Sequence, residues 1–189
     1  MREYLGSNIF CLEGDWEIDL RKKTSILAGL EMLHSISDVE FIYKTCGTVE
    51  ELLYRLNDFV KHKRSKYKNY NILYLATHGA KGEMYYGDSI NVLLFFKKHF
   101  KKGDFEGRVI HFGSCATLHI KEEDLSELKA YTGAKIISGY SKQVDFLEST
   151  MFDVLYFRKL QFRKLVTPLD EALYNEYKGM YDSLGFVIR

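Results

Sequence analysis

Two stretches decide how this chain folds: Asn71-Ile72-Leu73-Tyr74-Leu75-Ala76-Thr77-His78-Gly79, and further on Arg108-Val109-Ile110-His111-Phe112-Gly113-Ser114-Cys115. A third run, Ala134-Lys135-Ile136-Ile137-Ser138, stops at Gly139-Tyr140. Short apolar runs bounded by glycine and polar residues read as buried strands of a parallel sheet. Ligands and catalytic groups in such sheets collect beyond the carboxyl ends of the strands. His78 and Cys115 both fall at that kind of position.

The flanking sequence supplies the alternation of strand and helix that a parallel sheet needs. Asn8 to Leu12 reads as a first strand closed by Glu13-Gly14-Asp15, with Cys11 in the core. Trp16 then either flanks a groove or packs. Thr24 is placed to cap a helix through about Ser35, with Ile26, Leu27, Leu30 and Leu33 on one face. Val39 to Tyr43 is a second strand, and Thr48-Val49-Glu50-Glu51 is a capping box opening a helix with Leu52, Leu53, Leu56, Phe59 and Val60 inward. After His78-Gly79, the glycine-punctuated segment Ala80 to Asp88 reads as a loop or small hairpin beside the site. Helices are expected over Asn91–Phe100, Glu122–Tyr131, Phe146–Leu165 and from Thr167-Pro168 to Leu184. Gly133 and Gly185 act as stops, and Phe186-Val187-Ile188 is a short last strand. The pattern predicts an α/β fold with helices on both faces of a mainly parallel sheet.

A thiol becomes a competent nucleophile as the thiolate, and a histidine within reach can take its proton and return it to a leaving group. Neighbouring parallel strands lie about 5 Å apart, so side chains at two adjacent strand ends can meet above the sheet. The backbone N–H groups of Gly79 and Cys115 can then serve as an oxyanion hole. The alternative is that cysteine and histidine simply pack and terminate their strands. His111, Cys115 and His119 are spaced by four, but their strand-and-turn setting argues against a zinc site. No phosphate-cradling glycine motif and no Gly-x-Ser-x-Gly elbow occurs. No metal or cofactor is expected.

The segments Leu73 to Gly79 and Ile110 to Thr117 resemble the two catalytic motifs of the caspase-like cysteine peptidases, most closely those of CHAT peptidases, relatives of caspases and separase. In that group an apolar strand ends in His-Gly and a later one ends in a small residue followed by Cys. Thr117, the segment Gly133 to Tyr140, Asp145 and the aromatic helix Phe152 to Leu160 follow in the same order. The likeness spans about two-thirds of the chain. Tyr140 stands where CHAT domains often carry Trp. Gly113 stands where metacaspases carry Asp, and the caspase glutamine is absent, which argues against a strict caspase or metacaspase specificity.

The resemblance implies one caspase-like domain over residues 1–189, a three-layer α-β-α sandwich on a roughly six-stranded sheet. It implies a cysteine endopeptidase with a Cys115–His78 dyad acting on a protein or peptide. It also implies control by a partner protein or by homo-oligomerisation, in a bacterial defence or signalling pathway. The competing function is an inactive scaffold or signalling module that binds a protein partner. The resemblance puts the specificity pocket beside Ser138, Gly139 and Tyr140 and the loop to Asp145. Asp145 would then favour Lys or Arg before the cut, or would merely cap the following helix.

Composition narrows the partners. The chain has 189 residues, 46% of them hydrophobic, with a formal net charge of +1. That length supports a sizeable core, and the near-neutral charge gives no global attraction to nucleic acid or acidic membranes. Three scattered cysteines give no disulfide framework, so a reducing, cytoplasmic setting is expected. The first residues, Met1 to Ser7, lack a leader's apolar core, and no stretch approaches the ~20 apolar residues of a membrane span. The basic run Lys61 to Lys68 can grip phosphate or simply suit a helix C-terminus. Tyr174, Tyr177 and Tyr181 can dock a partner or pack at home.

Overall fold

The structure, a computed structural model, describes residues 7–17, 19, 21–162 and 165–189. The reading of Met1 to Gly6, and the expected helix over Arg163 and Lys164, lie outside the described residues. In chain order the elements are β1 (Ile9–Glu13), α1 (Leu27–Ser37), β2 (Phe41–Thr45), α2 (Val49–His62), β3 (Ile72–Ala76), β4 (Gly79–Ala80), β5 (Glu83–Tyr86) and β6 (Asp88–Asn91). They continue with α3 (Val92–His99), β7 (Val109–Gly113), α4 (Glu122–Thr132), β8 (Ile136–Tyr140), α5 (Phe146–Leu160), α6 (Val166–Leu184) and β9 (Phe186–Ile188).

A six-stranded sheet runs in the order β2-β1-β3-β7-β8-β9. Its pairings are parallel except for β8 with β9. Alternate residues along each strand feed two cores. Phe10, Leu12, Leu73, Leu75, Ile110 and Phe112 pack with Leu52, Leu56 and Phe59 of α2, Phe95 and Phe96 of α3, and Leu125 and Leu128 of α4. Ile9, Cys11, Ile72, Tyr74 and Val109 pack with Leu30 and Leu33 of α1, Phe152 and Phe157 of α5, and Leu169 and Leu173 of α6. Both faces are covered, which gives the three-layer α/β/α sandwich. Burial on both faces is also why the strands are near-continuous apolar runs.

The chain leaves β1 toward the layer of α1 and leaves β3 toward the layer of α3. Between these neighbouring strands the connections diverge to opposite faces, which opens a crevice at their carboxyl ends. The small antiparallel sheet β4-β5-β6 covers one side of that end. Several local signals act as the residue types dictate. Thr48 Oγ1 accepts Glu51 N–H at 3.3 Å, and Glu51 reaches back to Gly47 N–H at 2.7 Å. Gly133 and Gly185 end α4 and α6 with φ of 72° and 59°.

Other boundaries move. Thr24 does not cap α1; its hydroxyl bonds Glu17, and Ile26 stands at the N-cap. Strand β8 begins and ends two residues later than Ala134–Ser138 would have it, because Ser138, Gly139 and Tyr140 pair with β9. Helix α6 starts at Val166, before Thr167, with no side-chain cap. Tyr177 and Tyr181 pack against Phe152, and Tyr181 also donates to Asp170 at 2.6 Å, so these two serve the core. In the basic run, Lys63 bonds the Asp104 carbonyl and Arg64 pairs with Glu106. Among the described residues no helix is long and apolar enough to cross a membrane.

Candidate active site

Strands β3 and β7 are paired with Tyr74 opposite His111 and Ala76 opposite Gly113. Two residues beyond that last pair, on each strand, stand His78 and Cys115. Both continue the alternation that places Tyr74, Ala76 and His111 on the α1/α5 side. They line one cavity of about 160 Å³, with Trp16, Glu17, Thr24, Val144, Phe146 and Ser149. The loop after β1, the two strand ends and the loop into α5 thus meet at the crevice where the sheet topology diverges.

The His78 side is built by the main chain. Its Nε2 lies 2.7 Å from the Trp16 carbonyl oxygen. A carbonyl can only accept, so Nε2 carries the proton and Nδ1 is left as the basic nitrogen. The Trp16 indole stands edge-on to the imidazole at 5.2 Å and to Phe146 at 5.0 Å. Gly79 follows because nothing larger fits: an added Cβ would stand 2.7 Å from the Cys115 carbonyl oxygen and 2.9 Å from Ser114 Cβ. Tyr85 N–H donates to the His78 carbonyl at 3.0 Å, which makes Gly79 and Met84 a non-hydrogen-bonded pair and turns the Gly79 N–H away from β5.

The Cys115 side is a tight, locked turn. Ala116 sits at φ 50°, a left-handed conformation that alanine adopts only when its surroundings force it. Ala116 N–H bonds the Lys142 carbonyl at 2.8 Å, and Leu118 N–H bonds that of Tyr140 at 3.0 Å. Ser114 and Thr117 hydroxyls meet at 2.6 Å, and Thr117 also donates to the Glu83 carbonyl at 2.9 Å. The half-buried Cys115 thiol faces Val144, whose carbonyl lies 3.6 Å and whose N–H lies 3.5 Å from the sulfur. Burial pushes the Cys11 thiol well up and the Cys46 thiol up to about 11.

Beneath the cavity floor lies a closed polar cluster. Asp153 of α5 accepts from Tyr74 at 2.6 Å, from Tyr140, and from His111 Nε2 at 2.8 Å. His111 Nδ1 meets Ser138 at 2.9 Å, and Ser138 bonds Tyr156 at 2.9 Å. Burial, together with the Asp153 charge, holds the Tyr74 and Tyr140 hydroxyls well above the ordinary phenol range. Gly113 roofs this cluster, since a Cβ there would meet the Tyr74 ring at 2.5 Å. His111, Cys115 and His119 therefore diverge, with His119 bonded to the Ser141 carbonyl at 3.0 Å.

The residues expected to touch substrate lie elsewhere. Ser138 and Tyr140 are 0% exposed and spend their hydroxyls on the cluster. Gly139 is wedged under Phe112, whose carbonyl would stand 2.7 Å from an added Cβ. Asp145 caps α5, its Oδ1 accepting Leu147 N–H at 2.9 Å and Glu148 N–H at 3.0 Å. The carboxylate in the cavity wall is Glu17, absent from the motif reading because no strand end or helix pattern marks it. Lys22 at 3.1 Å and the Thr24 hydroxyl at 3.0 Å hold its carboxyl below the ordinary range.

Fold and site together define an α/β sandwich with a cysteine and a histidine sharing a cavity at the carboxyl edge of its sheet. The sequence profile of a family of unknown function, DUF6642, matches residues 6–189, and the chain belongs to that family. No curated protein matches the chain at a significant level.

Proposed function

We propose that this protein is a cysteine endopeptidase of the caspase-like type, with Cys115 as nucleophile and His78 as general base and acid. The observation that carries the reading is the register of β3 and β7, which sets the two groups at matching strand ends on one cavity. The thiol turns from the Val144 carbonyl toward His78 Nδ1, which takes its proton. The thiolate attacks the scissile carbonyl carbon, a C–S bond forms, and the oxyanion is met by the N–H groups of Gly79 and Cys115. The C–N bond then breaks and the amine leaves with the proton from His78. Water, deprotonated by His78, hydrolyses the thioester and frees Cys115.

Trp16, Val144 and Phe146 suit the apolar stem of the residue before the cut. Glu17, kept ionised, favours a lysine or arginine end there. The exposed Lys22 that pairs with Glu17 gives way readily, since solvent screens such surface pairs. The second reading, a scaffold that binds a protein partner, is favoured by one observation: the resting thiol bonds the Val144 peptide.

The test is labelling of native protein with iodoacetamide and with peptide probes ending in lysine, beside Cys115→Ala and His78→Ala. At pH 8 the raised Cys11 and Cys46 thiols stay protonated and unreactive. Labelling is therefore expected at Cys115 alone, with a rate that falls in His78→Ala. Equal labelling of wild type and Cys115→Ala removes the nucleophile assignment.

A further inference from the structure

Glu13 ends β1, and its side chain turns inward where a charge is costly. The residue is 2% exposed. It has no cation for a partner among the bonds it makes; it accepts instead from four neutral donors: Trp16 Nε1–H, Ser25 Oγ–H at 2.6 Å, Ile26 N–H at 2.7 Å and Tyr43 O–H. Two carboxylate oxygens offer about four acceptor sites, so this set saturates them. The donors come from the loop after β1, the start of α1, and β2. One buried group thus ties together everything that leaves the carboxyl end of β1. Removing this acceptor would leave four donors without a partner, so the carboxylate anchors the turn that follows β1.

What it places is Trp16. Glu13 is registered opposite Ala76, and Gly14 N–H bonds the Ala76 carbonyl at 2.8 Å, so the chain leaves β1 directly beside the strand that delivers His78. Three residues on, the indole N–H returns to Glu13 and closes the turn. That closure fixes both the Trp16 ring in the cavity wall and the Trp16 carbonyl on His78 Nε2. We infer that Glu13 is a positioning residue for the dyad, acting through Trp16 to hold His78 with Nδ1 free for Cys115. The inference rests on the dyad reading given above.

The experiment is the pH profile of Cys115 alkylation by iodoacetamide in the full chain. It compares wild type, Glu13→Gln, Trp16→Phe, the double variant and His78→Ala, with Asn91→Ala as a stability control remote from the site. Trp16→Phe keeps an aromatic wall but lacks the N–H that Glu13 accepts. Glu13→Gln and Trp16→Phe are each expected to slow alkylation at pH 7 roughly tenfold, the scale of one hydrogen bond to a charged group. The double variant is expected to be no slower than either single one, because both break the same link. Asn91→Ala, which removes the N-cap acceptor of Leu94 N–H at 3.0 Å, is expected to lower Tm without moving the profile. If His78→Ala alters the profile while Glu13→Gln and Trp16→Phe leave it as in wild type, the positioning role is overturned and the dyad stands. If His78→Ala itself changes nothing, the dyad falls and the inference with it. Should Glu13→Gln not fold, Trp16→Phe alone decides between these outcomes.

Discussion

Gly79→Ala is the smallest change that probes the join between the strand ends that carry His78 and Cys115. Gly79 is not at positive φ, so alanine meets no dihedral penalty there, and any cost is steric. The added methyl would stand 2.7 Å from the Cys115 carbonyl oxygen and 2.9 Å from Ser114 Cβ, with Thr117 Oγ1 also in the way. None of these is the loose end of a flexible chain. The first is main chain, and Thr117 is pinned by Ser114 at 2.6 Å and by the Glu83 carbonyl at 2.9 Å. Relief therefore requires the two turns to part by roughly 0.5–1 Å, the kind of overpacking that costs about 1–3 kcal/mol. In a chain of this size each kcal/mol lowers Tm by about 2–4 °C, so a fall of roughly 4–8 °C follows for the middle of that range.

The parting also moves His78 away from Cys115. Alkylation of Cys115 at pH 7 should then slow at least about tenfold, as small misplacements of reacting groups do. The comparison is Gly179→Ala in α6, where an added Cβ meets nothing within 4 Å. That variant should gain stability, by up to about 1 kcal/mol, and leave alkylation unchanged. Differential scanning calorimetry and timed mass spectrometry read both quantities. A Gly79→Ala protein with wild-type Tm and wild-type thiol kinetics would mean that the two turns do not touch, and the register argument for the dyad would fail with them.

Three further substitutions separate structural from chemical roles nearby. Asp145→Ala removes the acceptor of two N–H groups at the start of α5 and should cost about 1 kcal/mol, some 2–4 °C in Tm, while any preference for a basic residue before the cut survives. Glu17→Gln should do the reverse, and a peptide library in which Asp145→Ala loses the preference while Glu17→Gln keeps it would transfer the pocket to Asp145. Asp153→Asn turns an acceptor of three donors into a group that must itself donate, and should cost about 3 kcal/mol, or roughly 6–12 °C; a shift under about 2 °C in calorimetry would contradict the cluster beneath the cavity.

The strand ends were legible because they obey strong rules. An apolar run that stops at glycine or a reactive side chain is a pattern burial on both sheet faces imposes, and Thr48, Gly133 and Gly185 act through groups that lie within a few residues of them. What stayed hidden is the long-range use of ordinary residues. Ser138-Gly139 looks like the end of a strand, yet β8 runs on through Tyr140. Gly139 is there so that the strand can lie against the Phe112 carbonyl, and Tyr140 is buried because Asp153 satisfies its hydroxyl. Asp153 itself reads as a polar position on a helix, since its three partners come from three different strands of the sheet.

The partner of His78 was hidden for a different reason. Any residue at position 16 would supply a carbonyl, so no residue type there can announce the role. What the chain must specify is where that carbonyl stands, and it does so one step removed. Gly14 lets the main chain pass close to Thr77 and the Tyr85 carbonyl, the latter 3.1 Å from an added Cβ, and the Glu13 side chain then draws the turn shut. Glu13-Gly14-Asp15 looks like a polar turn closing a strand, and it is one. Only the sheet order, which puts β1 beside β3, turns that local punctuation into a support for His78. The residues of the proposed site are therefore divided by their physics: the cysteine and histidine are visible by type, and those that hold them act through position, which only the fold discloses.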